Sequence, residues 1–408
     1  MERKKIGYII FSFVILTVSI AFFYYIIPAI NPFHNPLSVD YISNGKYSEC
    51  YLVTSVSGPV VIVDKYGNVK WQGPPGFFIH DSDMLPNGNL IVADTWNDLV
   101  YEVDIDDPNN IIWSWNARNV SDINWTKFAY DRGWTDLSFL ESSNPLMKQW
   151  AYVNDVDFIN GSKFGRNYDS LLISLKNFDL IIEVNYSYSK EIVWWYGQPN
   201  NSTLLDHQHE PDRIDNGNTI VCDSENNRVI EINSTTKELV WELKLEFPYG
   251  KFRWVRDCDD IGNGLRLITD SGNNRLLVYD TNSRKIIKEI RNPFLSTPYE
   301  ADLLDNGQIV VGNMLGGNIL FIDYDSGAVI HIIGFPYNWA FPFFIICLGI
   351  GYHSVQMIKA IKKSKKKHIR KLVDFQVYRL LIYIIVSILA LYFFNTIVSY
   401  LWIFLFEG

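Results

Sequence analysis

The chain has 408 residues, with 36 Lys and Arg against 45 Asp and Glu, a formal net charge of −9 and four cysteines. That length allows a large core or several domains. The acid excess argues against nucleic acid or another polyanion as partner, and the scattered cysteines suit neither a disulfide scaffold nor a metal-ligand spacing.

The first element is an apolar run from Ile6 to Ile27, preceded by Arg3, Lys4 and Lys5. It has the ~20 residues that cross ~30 Å of hydrocarbon as a helix. It exceeds the ~7–15 apolar residues of a secretory leader. Bulky Phe22, Phe23, Tyr24 and Tyr25, then Pro28, stand where a peptidase needs small side chains. Residues 1–28 therefore read as a cytoplasmic tip and uncleaved transmembrane anchor.

Residues 29–336 are repetitive. LPNGNLIVADTWNDLVYEVD from Leu85, YDSLLISLKNFDLIIEVN from Tyr168, IDNGNTIVCDSENNRVIEIN from Ile214, IGNGLRLITDSGNNRLLVYD from Ile261 and LLDNGQIVVGNMLGGNILFID from Leu303 share one plan. Each is a β-branched run, a turn and a second alternating run. A further strand usually follows, as in EIVWWYG and ELVWEL. Asn-Gly pairs punctuate the hairpins. A degenerate earlier copy begins at Cys50. Antiparallel units of ~40–50 residues are the signature of propeller blades. The fold class is all-β, a six-bladed β-propeller with one N-terminal and two C-terminal transmembrane helices; five or seven blades are the alternatives, because the first copy is weak. An insertion at about 116–149, with Trp125, Trp134 and nearby Trp150, breaks the period and would cap one face. Tryptophans near blade ends would stack sugars or, as we favour, pack blade on blade.

A second pattern precedes each Asn-Gly turn: His80-Asp-Ser-Asp83, Asn154-Asp-Val-Asp157, His209-Glu-Pro-Asp212, Arg256-Asp-Cys-Asp259 and Tyr299-Glu-Ala-Asp302. The first strand of a blade lines the central channel, so these positions converge in one ring. The acids recur in every copy and would tie each blade to its neighbour through backbone N–H groups. The first position changes from blade to blade. Convergent, chemically distinct donors are what a binding site needs; polar residues lining a wet channel are the plain alternative.

Residues 337–358 and 377–408 read as two more spanning helices, around a basic loop at 359–376 (KAIKKSKKKHIRK). Basic residues mark the cytoplasmic side. That places the propeller outside a cell membrane, with 24 basic against 42 acidic residues and a net charge of −18. Seven N-x-S/T sequons, at Asn119, Asn124, Asn160, Asn185, Asn200, Asn201 and Asn233, fall in this domain and fit a glycoprotein. One pair among Cys50, Cys222 and Cys258 could be oxidised, while Cys347 lies in a span.

FIHDSDMLPNGNLIVAD, YVNDVDFI with LLISLKN, and HQHEPDRIDNGNTIVCDSENNRVIEI resemble the arylsulfate sulfotransferase family of six-bladed propellers over about 45–335. The resemblance implies transfer of a sulfuryl group from one phenol ester to another phenol through a sulfo-histidine, without cofactor or metal. It places His209 as nucleophile and His80 as a channel histidine. Tyr152 stands for the family's third histidine, with Asn154 kept two residues on. Lys176 stands for an arginine, keeping the charge but losing the planar fork. Arg256, Tyr299 and the spare His207 complete the expected substrate-binding set. Neutral imidazole suits the nucleophile, and Lys176, His80 and Arg256 would stabilise charge on sulfuryl oxygens. Glu210 next to His209 would point the other way along a strand.

Two functions follow as expectations. One is an outward-facing transferase taking an aryl sulfate donor and a phenolic or surface acceptor. The other is a non-catalytic propeller that binds a glycan or peptide or scaffolds a membrane-surface complex. A quinoprotein dehydrogenase ranks third, for want of a metal-ligand cluster or adjacent Cys pair. The C-terminal helices exceed what tethering needs and would suit a membrane partner.

Overall fold

The computed structural model describes residues 33–334 apart from Pro75, Phe77 and 141–148. The three apolar segments, the basic loop and Cys347 lie outside the described residues. Among the described residues no helix is long and apolar enough to cross a membrane.

Residues Asn31–Gly334 form one compact unit. Their strands make six antiparallel sheets of four strands each. The blades span 34–72, 79–116, 153–197, 209–243, 255–290 and 298–333. The count of six expected from the repeats holds. The innermost strands are His34–Ile42, Ile79–Met84, Val153–Ile159, His209–Arg213, Val255–Asp260 and Pro298–Leu303. Each touches the next, and the last touches the first, closing the ring. The copy that began at Cys50 in the sequence thus starts earlier, at His34. Its Leu37-Ser38-Val39-Asp40 occupies the same register, with Asn44-Gly45 seven residues after Leu37.

Six buried apolar clusters hold the blades together, one at each interface. Their β-branched residues come from the middle strands, buried on both faces by neighbouring blades, and so read as continuous apolar runs. At the closing interface Val39, Val53 and Val63 of blade 1 meet Val310, Ile319 and Phe321 of blade 6. No strand is exchanged there: each blade is one stretch of chain.

Polar links repeat around the ring. Asp81 accepts the Val156 N–H at 3.1 Å, Asp257 that of Ala301 at 2.8 Å, and Glu300 that of Val39 at 3.3 Å. The repeated acids therefore tie blade to blade, as expected. Trp71, Trp113 and Trp194 donate their indole N–H groups to carbonyls of Ile105, Ser187 and Ser234 in the following blade. These tryptophans are inter-blade packing.

The insertion folds into a short helix, Trp125–Tyr130, and a 3-10 turn, Ser138–Leu140, over the junction of blades 2 and 3. Trp125 packs edge-on to Trp115 and Phe178. Cys50, Cys222 and Cys258 are free and buried, so no pair among them is oxidised. Burial pushes the Cys222 and Cys258 thiols well above their ordinary range.

Candidate functional site

Two local devices aim the channel residues. The first is backbone conformation. Two residues before the variable position of each blade, the chain is left-handed: Asn35, Phe78, Tyr152, His207, Trp254 and Thr297 all have φ between 51° and 60°. Non-glycine residues seldom adopt this conformation, and bulky ones pay for it in strain. Side chains from the preceding blade hold the bend. Asp98 accepts the Tyr152 N–H, Asp179 that of His207 and Asn274 that of Thr297. Asp98, Asp179 and Asn274 are themselves left-handed, which Asx side chains tolerate.

The second device is a β-bulge at the same place in every blade, between Ile79 and Asp81 in blade 2 and between Val255 and Asp257 in blade 5, for example. An extra residue lets two successive side chains turn toward the axis. The variable residue and the acid after it thus form two layers of one channel.

The upper layer gathers most of the residues expected from the sequence. His80, Asn154, His209, Arg256 and Tyr299 sit on five inner strands, buried to 0–1 % exposure. Blade 1 contributes Leu37, which the sequence reading missed. The His80 ring centroid lies 6.1 Å from His209, 5.5 Å from Tyr299 and 5.5 Å from Tyr152. Lys176, 3 % exposed, begins the turn after the second strand of blade 3, with Nζ 4.4 Å from the Tyr152 ring centre. Asn154 donates its amide to the Gln208 carbonyl. His207 is apart: half-buried, it pairs with Asp206 at 2.9 Å.

His209 is the best-defined group. Its Nδ1 lies 3.1 Å from the His207 carbonyl, an acceptor only. That contact favours a proton on Nδ1, whereas the donor-only guanidinium of Arg256 lies against both ring nitrogens. Arg256 Nη1 is 2.8 Å from Nε2 and 2.7 Å from Nδ1. The guanidinium stacks on Trp254, 3.7 Å from the ring centre. Ser224 Oγ stands 3.2 Å from Nδ1 and donates to the Val255 carbonyl. Burial, then the positive charges of Arg256 and Lys176, hold the imidazole well below its ordinary pKa. It is a neutral base among cations. Glu210 does not orient it: that side chain lines the lower layer and hydrogen-bonds Asp155.

The lower layer is an acidic cavity of about 230 Å³, walled by the acids that follow the variable positions, with Cys258. Burial raises these carboxyls, Asp83 to about 7 and Asp257 to about 8. Two groups place three metal-capable atoms within 4.8 Å of one another: Asp40, Glu300 and Asp302 in this cavity, and Asp179, Asp206 and His207 at the channel edge. Hydrogen bonds within the second group already satisfy much of it.

No family model matches the sequence, and no curated protein matches it. Among solved structures, the chain resembles one described as a streptogramin B lyase, at 11 % identity and TM-score 0.48, over 75 % of this chain and 84 % of that one. It also resembles virginiamycin B lyase from Staphylococcus aureus, at 9 % identity and TM-score 0.47, covering 72 % and 83 %. A protein of unknown function from Bacteroides caccae gives 12 % identity and TM-score 0.47, covering 69 % and 92 %. The six-bladed β-propeller stands on the chain's own six sheets, and its chemistry has to be argued from its own side chains.

Proposed function

We propose that this propeller is a membrane-anchored, extracytoplasmic transferase that moves a sulfuryl group from an aryl sulfate to a phenolic or surface acceptor through His209. The observation that carries the reading is the state of His209: an imidazole held neutral by burial and by the Arg256 guanidinium, which lies against both ring nitrogens.

In this reading Nε2 attacks sulfur, the S–O bond to the aryl group breaks, and phenolate leaves with the electron pair. The sulfuryl group stays on nitrogen. An acceptor phenol then attacks sulfur, the S–N bond breaks, and His80 takes the phenol proton. Arg256 and Lys176 offset charge on the sulfuryl oxygens, a role in which one donor is worth ~10²–10³ in rate. Arg256 must swing from the imidazole onto the incoming anion, which frees Nε2 as substrate binds. No metal or cofactor enters.

The test is nitrophenolate release from 4-nitrophenyl sulfate by the full chain, with phenol as acceptor. Wild type should turn over with ping-pong kinetics, and His209→Ala should lose at least ~10²-fold. Activity retained by His209→Ala would sink the mechanism.

A second reading is favoured by burial. His80, His209 and Arg256 are at most 1 % exposed and fill the upper layer, as in a propeller that binds a glycan or peptide on its outer face. Absence of turnover with every aryl sulfate tried, in a folded protein, would favour it.

A further inference from the structure

The acidic cavity takes no part in that chemistry, yet among the described residues no Lys or Arg lines it. Buried carboxylates at this density cannot all stay ionised alone; protons or cations must neutralise them. One corner differs from the rest. Asp40 comes from blade 1, and Glu300 and Asp302 from blade 6. Each offers an oxygen, all within 4.8 Å of one another. Glu300 is 9 % exposed; its Oε1 accepts the Val39 N–H, while its Oε2 has no hydrogen-bond partner among the described residues. A buried acceptor left open beside two more carboxylates is a place prepared for a positive charge.

We propose that Asp40, Glu300 and Asp302 bind one calcium ion across the interface where the ring closes. Calcium takes 6–8 oxygens at about 2.3–2.6 Å in a flexible shell that carboxylates and waters can fill, whereas magnesium dehydrates reluctantly and demands a strict octahedron at about 2.0–2.1 Å, which dedicated carboxylate cages seldom supply. The 230 Å³ cavity holds several waters, at ~30 Å³ each, to complete the shell. The location gives the ion a task. Blades 1 and 6 exchange no strand, and an ion held by both would clasp their junction. This inference is independent of the transfer reaction above.

The test is made on the full chain. After dialysis against calcium and then metal-free buffer, atomic emission should find one calcium per chain. Chelation with EDTA should lower Tm by about 5–10 °C, and millimolar calcium should restore it. Asp40→Asn and Glu300→Gln should each lose bound calcium and the Tm response. In EDTA they should melt at or above wild type, because one mutual repulsion is gone. Asp157→Asn, elsewhere on the cavity wall, should keep the response. Absence of calcium and of any shift in wild type overturns the proposal, as does a response surviving in both variants or an equal response to magnesium. Should one variant fail to fold, the other and the wild-type stoichiometry decide.

Discussion

Asp98 is expected to matter more than its place in a hairpin turn suggests. Its side chain is fully buried and accepts from four donors: the N–H groups of Trp150, Ala151 and Tyr152 at 2.9–3.0 Å and Arg118 Nε at 2.6 Å. It therefore fastens both ends of the insertion and the left-handed bend that delivers Tyr152 to the channel. In Asp98→Ala these donors lose their acceptor. A buried donor left unmade costs ~1–3 kcal/mol. Arg118 reaches solvent and recovers part, so two or three stranded backbone groups set the loss at ~3–6 kcal/mol. That should lower Tm by on the order of 10 °C. Asp98→Asn keeps one carbonyl oxygen for Ala151 and Tyr152 and should lose about half as much. Asp131→Ala, which breaks an exposed helix pair with Lys127, is the control and should stay within ~0.5 kcal/mol. Urea denaturation of the three variants measures the differences. If Asp98→Ala lies within ~1 kcal/mol of wild type, the clamp is not what holds the insertion and Tyr152.

Other outcomes follow from the same geometry. A Cβ at Gly312 would stand 2.3 Å from the Leu37 carbonyl oxygen, so Gly312→Ala should force the closing blades apart and lower Tm by several degrees; an unchanged melting curve would show that the interface can yield. His209, held well below its ordinary pKa, remains neutral while its unfolded counterpart gains a proton below about pH 6.5. The unfolded state then binds more protons, so stability falls as pH drops from about 7. His209→Asn should show a smaller fall between pH 7.5 and 5.5 in urea titrations. The same shift predicts that kcat/KM shows no acid limb at pH 6.5 from this group; an inflection there that vanishes in a variant retaining residual turnover would contradict it. Cys222 and Cys258, fully buried with raised thiol pKa values, should resist alkylation until the propeller unfolds, as mass spectrometry of labelled protein would register.

The ring was legible in the sequence because its inner strands repeat a written phrase, a variable residue, an acid and an Asp ahead of Asn-Gly. The innermost strand of blade 1 escaped because Leu37 and Ser38 replace the polar residue and the acid, although Asp40 and Asn44-Gly45 keep their spacing. The members of the upper layer could be named, but not how they are oriented. A bulge adds one residue and leaves no trace in composition, so Glu210 could be placed only by the regular alternation of a strand. The group that orients His209 is the carbonyl of His207, and a backbone acceptor has no sequence signature at all. The clamps at Asp98, Asp179 and Asn274 stood in plain view within repeated hairpins and read as turn punctuation, since their partners belong to another blade.

The uninterrupted blades carry a consequence for how such a chain is read from end to end. Phe33 and Ile333 share one apolar cluster, so the propeller begins and ends at the same interface. Joining 334 to 33 by a short linker and opening the chain within the loop at 117–149 would leave every sheet intact, the condition under which circular permutation succeeds. The ring has a seam but no privileged beginning: its order is cyclic, and any connection between blades could serve as the ends of the fold.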